Sequence, residues 1–332
     1  MDRKVLTAVF IIVIVFALLL MILLGCSQDP EVEEVFNVLG SKDSSSPVLV
    51  AVTSVSSSVI RLEFNEPVRV YGRSFEPLSA RADGKFIFVS LDRSLLPGMR
   101  SDVKGRVKDY SGNTSGFTIQ VWGFNPQIPE VLINEFTTKG TAKSPDRTEL
   151  RIMTPGNIHG MTLYCGVPND FDVSVVFDDI DVRSGDMIVV WWTKELPEQV
   201  TTETTVSEGS RVFNICAGSE DNLPSNNGVI VLCDSPALGA SVIDAVIYSN
   251  FSQSHEGFGT KAALERARWV LDSGAWYGEA LDSTSSTATR SMSRLTDGRD
   301  SDSSKDWIIT VTGGATFGYS FCPCCPRRIS GR

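Results

Sequence analysis

Ile60-Arg61-Leu62-Glu63-Phe64 alternates apolar and charged side chains without a break. A period of two puts Ile60, Leu62 and Phe64 on one face of a strand and Arg61 and Glu63 on the other, the pattern of a half-buried sheet. The neighbourhood repeats the signal. Val48-Leu49-Val50-Ala51-Val52 is a β-branched apolar run, Lys85–Leu91 (KFIFVSL) follows an Asp83-Gly84 turn, and Phe117–Trp122 closes the block. Asp92–Met99 holds a further turn at Pro97-Gly98. Short strands at about ten-residue spacing, separated by turn residues, make a β-sandwich the expected fold.

Two local sequences narrow this. Ile60–Val68 (IRLEFNEPV) and Val107–Ser115 (VKDYSGNTS) resemble the early-strand and late-turn motifs of bacterial Ig-like domains found on surface proteins. In that turn Asp109 can cap the bend, while Gly112 and Asn113 tolerate positive φ. A first domain is therefore expected over residues 47–124. Asn125-Pro126-Gln127-Ile128-Pro129 follows, and two prolines so close together cannot continue a central strand. A short, stiff hinge is expected there.

The second block, residues 130–320, supplies further strand signals. In order they are Val131–Phe136 (VLINEF), Glu149–Ile152, Met161–Tyr164, Ser184–Trp192 (SGDMIVVWW), Asn227–Asp234 (NGVIVLCD) and Ser241–Tyr248 (SVIDAVIY). Ser291-Met292-Ser293-Arg294, Asp297-Gly298, Trp307 and a Gly-rich end, Thr312–Gly318, complete the set. The order INEF, Glu-Leu strand, Gly-then-apolar strand, NxGxxxLxD, V-I-D-x-V, and S-x-R…DG…W…G resembles the lamin-tail domain. That family is an Ig-like β-sandwich that also occurs in secreted and lipid-anchored bacterial proteins. The resemblance implies that Trp307 packs between the sheets. The chain departs from the pattern in the long segment Asn250–Thr289 and in carrying Thr316-Phe317-Gly318 where a Pro is usual. Inside the insertion, Ala263, Leu264, Ala267, Val270 and Leu271 share one helical face between Gly259 and Gly274. One short amphipathic helix is expected, as a cover for the core.

The N-terminus bears on the compartment. Arg3 and Lys4 precede an apolar run, Val5–Leu24, in which Thr7 is the only polar side chain. That length matches a membrane anchor, since about 20 residues span a bilayer core. The basic start and the ending Leu23-Leu24-Gly25-Cys26 instead resemble a bacterial lipoprotein signal peptide with its lipobox. The resemblance implies acylation of Cys26, removal of residues 1–25, and a mature chain outside the cytoplasm. Residues 26–46, acidic and then Ser-rich, read as a flexible tether. Removing residues 1–25 takes away one acidic and two basic residues, so the mature chain has 28 basic against 39 acidic residues, a balance of −11. An acidic body held by acyl chains is expected to stay off anionic headgroups.

Composition narrows the chemistry. Hydrophobic residues at 42% and charged residues at 21% suit a folded chain of about two domains. A balance of −10 disfavours nucleic acid, which needs clustered Lys and Arg. Two histidines, His159 and His255, leave little scope for His-based triads or metal sites, and both sit beside glycines, as exposed loop residues do. Neither G-x-S-x-G, H-E-x-x-H nor G-x-x-x-x-G-K-[ST] occurs. Asp297, Asp300, Asp302 and Asp306 could offer oxygen ligands to Ca²⁺, although their spacing is not that of an EF-hand and a solvated turn explains them as well. Asp170, Asp172, Asp178, Asp179 and Asp181 are expected to face water. With Cys26 acylated, Cys165, Cys216, Cys233, Cys322, Cys324 and Cys325 remain, an even number that permits disulfides of undetermined pairing. The last three lie in a Cys-rich tail, residues 321–332.

The expectation is an all-β protein: two Ig-like sandwiches in tandem after a lipoprotein signal peptide, with one short helix inserted in the second. It is read as a non-catalytic envelope protein, membrane-bound through its lipid, without cofactor, and presenting the second domain to a protein or glycan. The competing class is an envelope hydrolase built on paired carboxylates, which would need two buried carboxylates in one deep pocket.

Overall fold

The computed structural model describes residues 43–206, 209–219, 222–295 and 299–319. The apolar run, the lipobox Cys26, the tether up to residue 42, Asp297 and the Cys-rich tail all lie outside these residues. Among the described residues no helix is long and apolar enough to cross a membrane.

The chain divides into two compact units. Val59–Asp92 and Asp102–Ile119 belong to the first, and the chain from Gln120 belongs to the second, with which Thr53–Ser58 and Arg93–Ser101 are grouped.

The N-terminal strands are β1 (Leu49–Ser56), β2 (Val59–Phe64), β3 (Ser79–Asp83), β4 (Phe86–Ser90), β5 (Arg100–Lys108) and β6 (Thr114–Trp122). Four of them form a sheet in the order β1-β2-β4-β3, and β5 pairs with β6. The alternation read from the sequence is the burial pattern observed. Ile60, Leu62 and Phe64 are buried, as are Ile87 and Val89 on β4 and Val103 and Val107 on β5. Asp109 caps the turn after β5 by accepting the Asn113 N–H at 2.8 Å. Only Gly112 there is left-handed, at φ 95°. Asn113 contributes instead through its side-chain amide, which donates to Asp109 at 2.7 Å and to the Asp43 carbonyl at 3.1 Å.

The second unit continues with β7 (Val131–Phe136), β8 (Arg147–Ile152), β9 (Gly156–Asn157), β10 (Thr162–Val167), β11 (Asp170–Val176), β12 (Asp181–Val182) and β13 (Met187–Trp191). Next come β14 (Glu203–Thr205), β15 (Arg211–Cys216), β16 (Gly228–Cys233) and β17 (Val242–Ser249). Helix α1 (Lys261–Ser273), β18 (Leu281–Asp282), β19 (Met292–Arg294) and β20 (Trp307–Ile309) complete it. A seven-stranded sheet, β14-β15-β13-β8-β7-β19-β20, and a five-stranded sheet, β11-β10-β16-β17-β18, share one core. In the seven-stranded sheet Leu150, Ile152, Ile188 and Val190 join that core, whereas Arg147, Glu149 and Arg151 alternate with the apolar residues of β8.

Helix α1 packs on β10, β16 and β17. This explains why every residue of β10 and β16 is buried: the five-stranded sheet is covered on both faces, so its strands read as unbroken apolar runs. Thr260 caps the helix start, accepting the Ala263 N–H, and Gly274 ends it in the left-handed conformation at φ 78°. Leu264, Ala267 and Val270 are buried, with Ala263 packed beside them. Leu271, expected on the same face, is 40% exposed. It lies about 100° from Val270 around the helix and falls off the edge of the stripe. Arg266 fixes the helix to β11 by paired hydrogen bonds to Asp170 and Asp172, all of 2.8 to 3.0 Å. Those two aspartates face water, as expected, and are ion-paired as well. Asp179 and Asp181 accept from the Asn157 amide at 2.7 and 2.9 Å.

Candidate functional site

The residues singled out by the sequence order converge on two buried polar clusters. In the first, β7 and β8 bring Glu135 opposite Glu149, both fully buried. Their oxygens are taken up by other parts of the chain. Glu135 accepts from the Ser291 hydroxyl, and from the Thr316 N–H and hydroxyl at 2.9 and 2.8 Å. Glu149 accepts from the Asn134 side chain at 2.8 Å and the Gly318 N–H at 2.5 Å. Burial raises the Glu135 carboxyl above its ordinary range, against the pull of the Ser291 and Thr316 donors and of Arg147. The two glutamates thus hold down the segment Thr316–Gly318. Between those residues, Phe317 lies 4.0 Å from the Arg147 guanidinium, which in turn lies 4.9 Å from the Trp191 ring.

The second cluster is centred on Arg294, which is 1% exposed. Its guanidinium donates to Asp244 Oδ2 and Asp300 Oδ1 at 2.9 Å, to the Ile133 carbonyl at 2.7 Å and to the Arg299 carbonyl at 3.1 Å. Asp244 also accepts the Ile133 and Ala245 N–H groups at 2.6 and 2.7 Å. Burial pushes the Asp244 carboxyl up while Arg294 pulls it back. Trp307 closes the cluster, 5% exposed, edge-on to Phe136 at 5.5 Å and 4.9 Å from the Arg294 guanidinium. The Ser291–Arg294 and V-I-D-x-V elements of the sequence therefore supply the two halves of one buried ion pair.

The remaining motif residues have comparable roles. A Cβ on Gly228 would lie 2.6 Å from Tyr248 Oη, so only glycine admits the ring whose hydroxyl donates to the Pro224 carbonyl at 2.8 Å. Asn227 donates to the Phe258 carbonyl at 2.8 Å, and Asp234 accepts the Ser241 N–H at 3.1 Å.

The calcium candidates are only partly brought together. Asp300 and Asp302 meet Asp244, not Asp306, with ligand oxygens within 4.8 Å. Arg294 already supplies the positive charge to Asp244 and Asp300. Asp306 is used locally, accepting the Ser301 N–H at 2.6 Å. This donor set does not fit a divalent cation, because the guanidinium stands where the ion would. Cys165 on β10, Cys216 on β15 and Cys233 on β16 are free thiols, with no disulfide among them. The Cys165 thiol lies 3.9 Å from Asp172. Burial pushes the Cys233 thiol up to about 12, far from a reactive thiolate. His255 is exposed, whereas His159, expected to be exposed, is half-buried, its N–H donating to Asn157 at 2.8 Å.

Cavities of about 740, 550 and 410 Å³ open elsewhere, and neither Glu135 nor Glu149 lines any of them. The largest lies in the first unit, between Tyr71–Glu76 and strands β5 and β6. Sequence reading missed it, because its cations lie on a strand whose inward positions include a glycine, Gly105.

An uncharacterised protein of Treponema pallidum (strain Nichols) is 26% identical over 198 residues, covering 54% of this chain and 48% of the relative. The chain thus spans about half the length of that relative. Residues 129–309 match the family described as the TP_1001 protein second domain, from just before β7 to the end of β20. A match over more than half of the chain places this protein in the TP_1001 second-domain family.

Proposed function

We propose that this chain is a non-catalytic, lipid-anchored envelope protein whose second unit is a lamin-tail-like sandwich used for binding or structural interaction outside the cytoplasm. In this reading Cys26 carries the lipid, residues 26–46 are the tether, and the first unit, an Ig-like spacer, holds the second away from the anchor. The observation that carries the non-catalytic part is the state of the buried carboxylates. Glu135 and Glu149 are the pair a hydrolase would need, and their oxygens accept from the Thr316 and Gly318 backbone, while neither lines the 740, 550 or 410 Å³ cavity. The anchor rests on Arg3, Lys4 and the Leu23–Cys26 ending of the apolar run.

Metabolic labelling with an alkyne fatty acid tests the anchor. The wild-type chain takes up label, and Cys26→Ser takes up none and accumulates as the uncut precursor. Equal labelling of both would remove the lipoprotein reading. For the competing class, Glu135→Gln with Glu149→Gln should change stability and leave any measured activity of the membrane fraction unchanged.

A further inference from the structure

The acidic balance of the chain is unevenly distributed. Residues 130–320 carry 14 Lys and Arg against 27 Asp and Glu, a balance of −13. Residues 47–124 carry ten against seven, a balance of +3. Several of those positive charges converge. The segment Arg69–Ser74 runs beside β5, with Arg69 and Lys108 exchanging backbone hydrogen bonds of 2.7 and 3.2 Å and the Arg106 N–H donating to the Ser74 carbonyl at 3.1 Å. Between this segment and the β5–β6 pair lies the 740 Å³ groove, lined by Arg73, Lys104, Arg106 and Ser74 and floored by Phe117.

The groove is shaped by its glycines. A Cβ on Gly105 would lie 2.5 Å from the Phe75 ring and 2.9 Å from the Phe117 ring, so the backbone rests directly on the aromatic floor. Gly116 leaves its position opposite β5 bare, and the Arg106 stem passes over it at 3.5 Å from where a Cβ would stand. The cations point outward from there. Lys104 and Arg106 are exposed and carry no ion pair among the described residues. Arg73 is 86% exposed and meets only Glu76, at 3.2 Å. Lys108 extends the row, over the Tyr71 ring at 5.6 Å. The buried Ser74 hydroxyl, on the groove wall, has no hydrogen-bond partner among the described residues.

We propose that this groove docks the anionic phospholipid headgroups of the membrane to which the chain is tethered, Arg73, Lys104 and Arg106 taking the phosphates. The proposal rests on the lipid-anchored reading for its choice of anion. From Cys26 the 20 residues up to Pro47 reach at most about 70 Å when extended, so the first unit never leaves the neighbourhood of the surface. Charge complementarity makes that surface the partner. The net charge of the mature chain suggested repulsion from anionic headgroups, but a screening length of about 8 Å makes the local cluster of Arg73, Lys104 and Arg106, in a stretch (residues 47–124) of balance +3, what the surface meets. The first unit therefore meets the bilayer through this groove.

The test uses a chain that begins at Ser27 and lacks the acyl group, keeping both units, in sedimentation with vesicles. At low salt it should pellet with vesicles containing phosphatidylglycerol and stay in solution with pure phosphatidylcholine. Arg73→Gln with Lys104→Gln and Arg106→Gln should weaken binding about a hundred-fold, at about fivefold per charge, with an unchanged melting curve. The same number of charges removed in the second unit, Lys261→Gln with Arg268→Gln and Lys305→Gln, should leave binding as it was. Equal weakening by both sets would make this a net-charge effect and overturn the site. Binding to heparin without binding to the vesicles would assign the groove to a soluble polyanion and overturn the lipid. Because this chain carries no lipid, a failure here leaves the Cys26 labelling result standing, and a failure of labelling leaves this result standing.

Discussion

Removing the Arg294 side chain should cost the second unit a large share of its stability. The guanidinium is 1% exposed and makes four hydrogen bonds, to Asp244, Asp300 and the carbonyls of Ile133 and Arg299. Arg294→Ala leaves Asp244, itself buried, with only the Ile133 and Ala245 N–H groups to balance its charge. Breaking a buried pair from one side typically costs about 3–5 kcal/mol, because the remaining charge is stranded. A domain has about 5–15 kcal/mol in total, so the variant should be marginal at physiological temperature. Removing both charges tells a different story. Arg294→Met with Asp244→Leu takes away the desolvation cost as well as the attraction, and should lie within about 2 kcal/mol of wild type. Urea unfolding followed by tryptophan fluorescence measures both, since Trp192, Trp276 and Trp307 are all buried in this unit. A loss below 1 kcal/mol for Arg294→Ala would refute the claim that this ion pair organises the sandwich.

Trp307→Ala should destabilise the second unit by about 3–5 kcal/mol, because a buried indole against Phe136 leaves a cavity that the sheets cannot close; an unchanged melting curve would place Trp307 on the surface instead. Gly228→Ala should cost about 1–3 kcal/mol through the 2.6 Å approach to Tyr248 Oη, and Tyr248→Phe in the same chain should recover part of it. Burial raises the Asp146 carboxyl from 3.8 to about 7, so the folded state holds its proton more tightly than the unfolded chain. Its contribution is fully present below about pH 4 and is lost as pH rises through 7. Wild type should therefore be more stable at pH 5 than at pH 8, by at most about 2.6 kcal/mol from this group. Asp146→Asn should flatten that dependence, and an identical pH profile in the variant would contradict it.

Local pattern carried most of the fold. Ile60 to Phe64 and Glu149 to Ile152 alternate strictly, and the strands appear where period two puts them. The unbroken runs of β10 and β16 also read correctly as buried strands, although nothing in them says that a helix covers their second face. Other strands escaped for identifiable reasons. Strand β3 is Ser-Ala-Arg-Ala-Asp, whose inward side chains are only alanines. On β5 an inward position is Gly105, chosen for the rings beneath it, so the apolar alternation has a gap. Strand β11 was legible as part of a water-facing strand pair, but nothing in it says that Arg266 of a distant helix stands against Asp170 and Asp172.

The clusters around Glu135 and Arg294 were legible only as an order of motifs, not as contacts. Glu135 and Thr316 lie 181 residues apart, Ile133 and Arg294 161, and no spacing rule connects them. Asn134 and Glu135 in a strand that is otherwise apolar were the available signal, and the backbone donors at Thr316 and Gly318 show what Glu135 and Glu149 hold. The groove of the first unit was missed for two reasons: Gly105 interrupts the apolar alternation of β5, and net charge was summed over the whole chain, which concealed the opposite signs of residues 47–124 and 130–320.

The intact mass of the protein extracted from the cell envelope tests the lipid-anchored account most directly. The account predicts a chain that begins at Cys26 and carries added acyl mass, removable in part by ester hydrolysis. A chain that retains residues 1–25, or one that begins elsewhere without added mass, would contradict it.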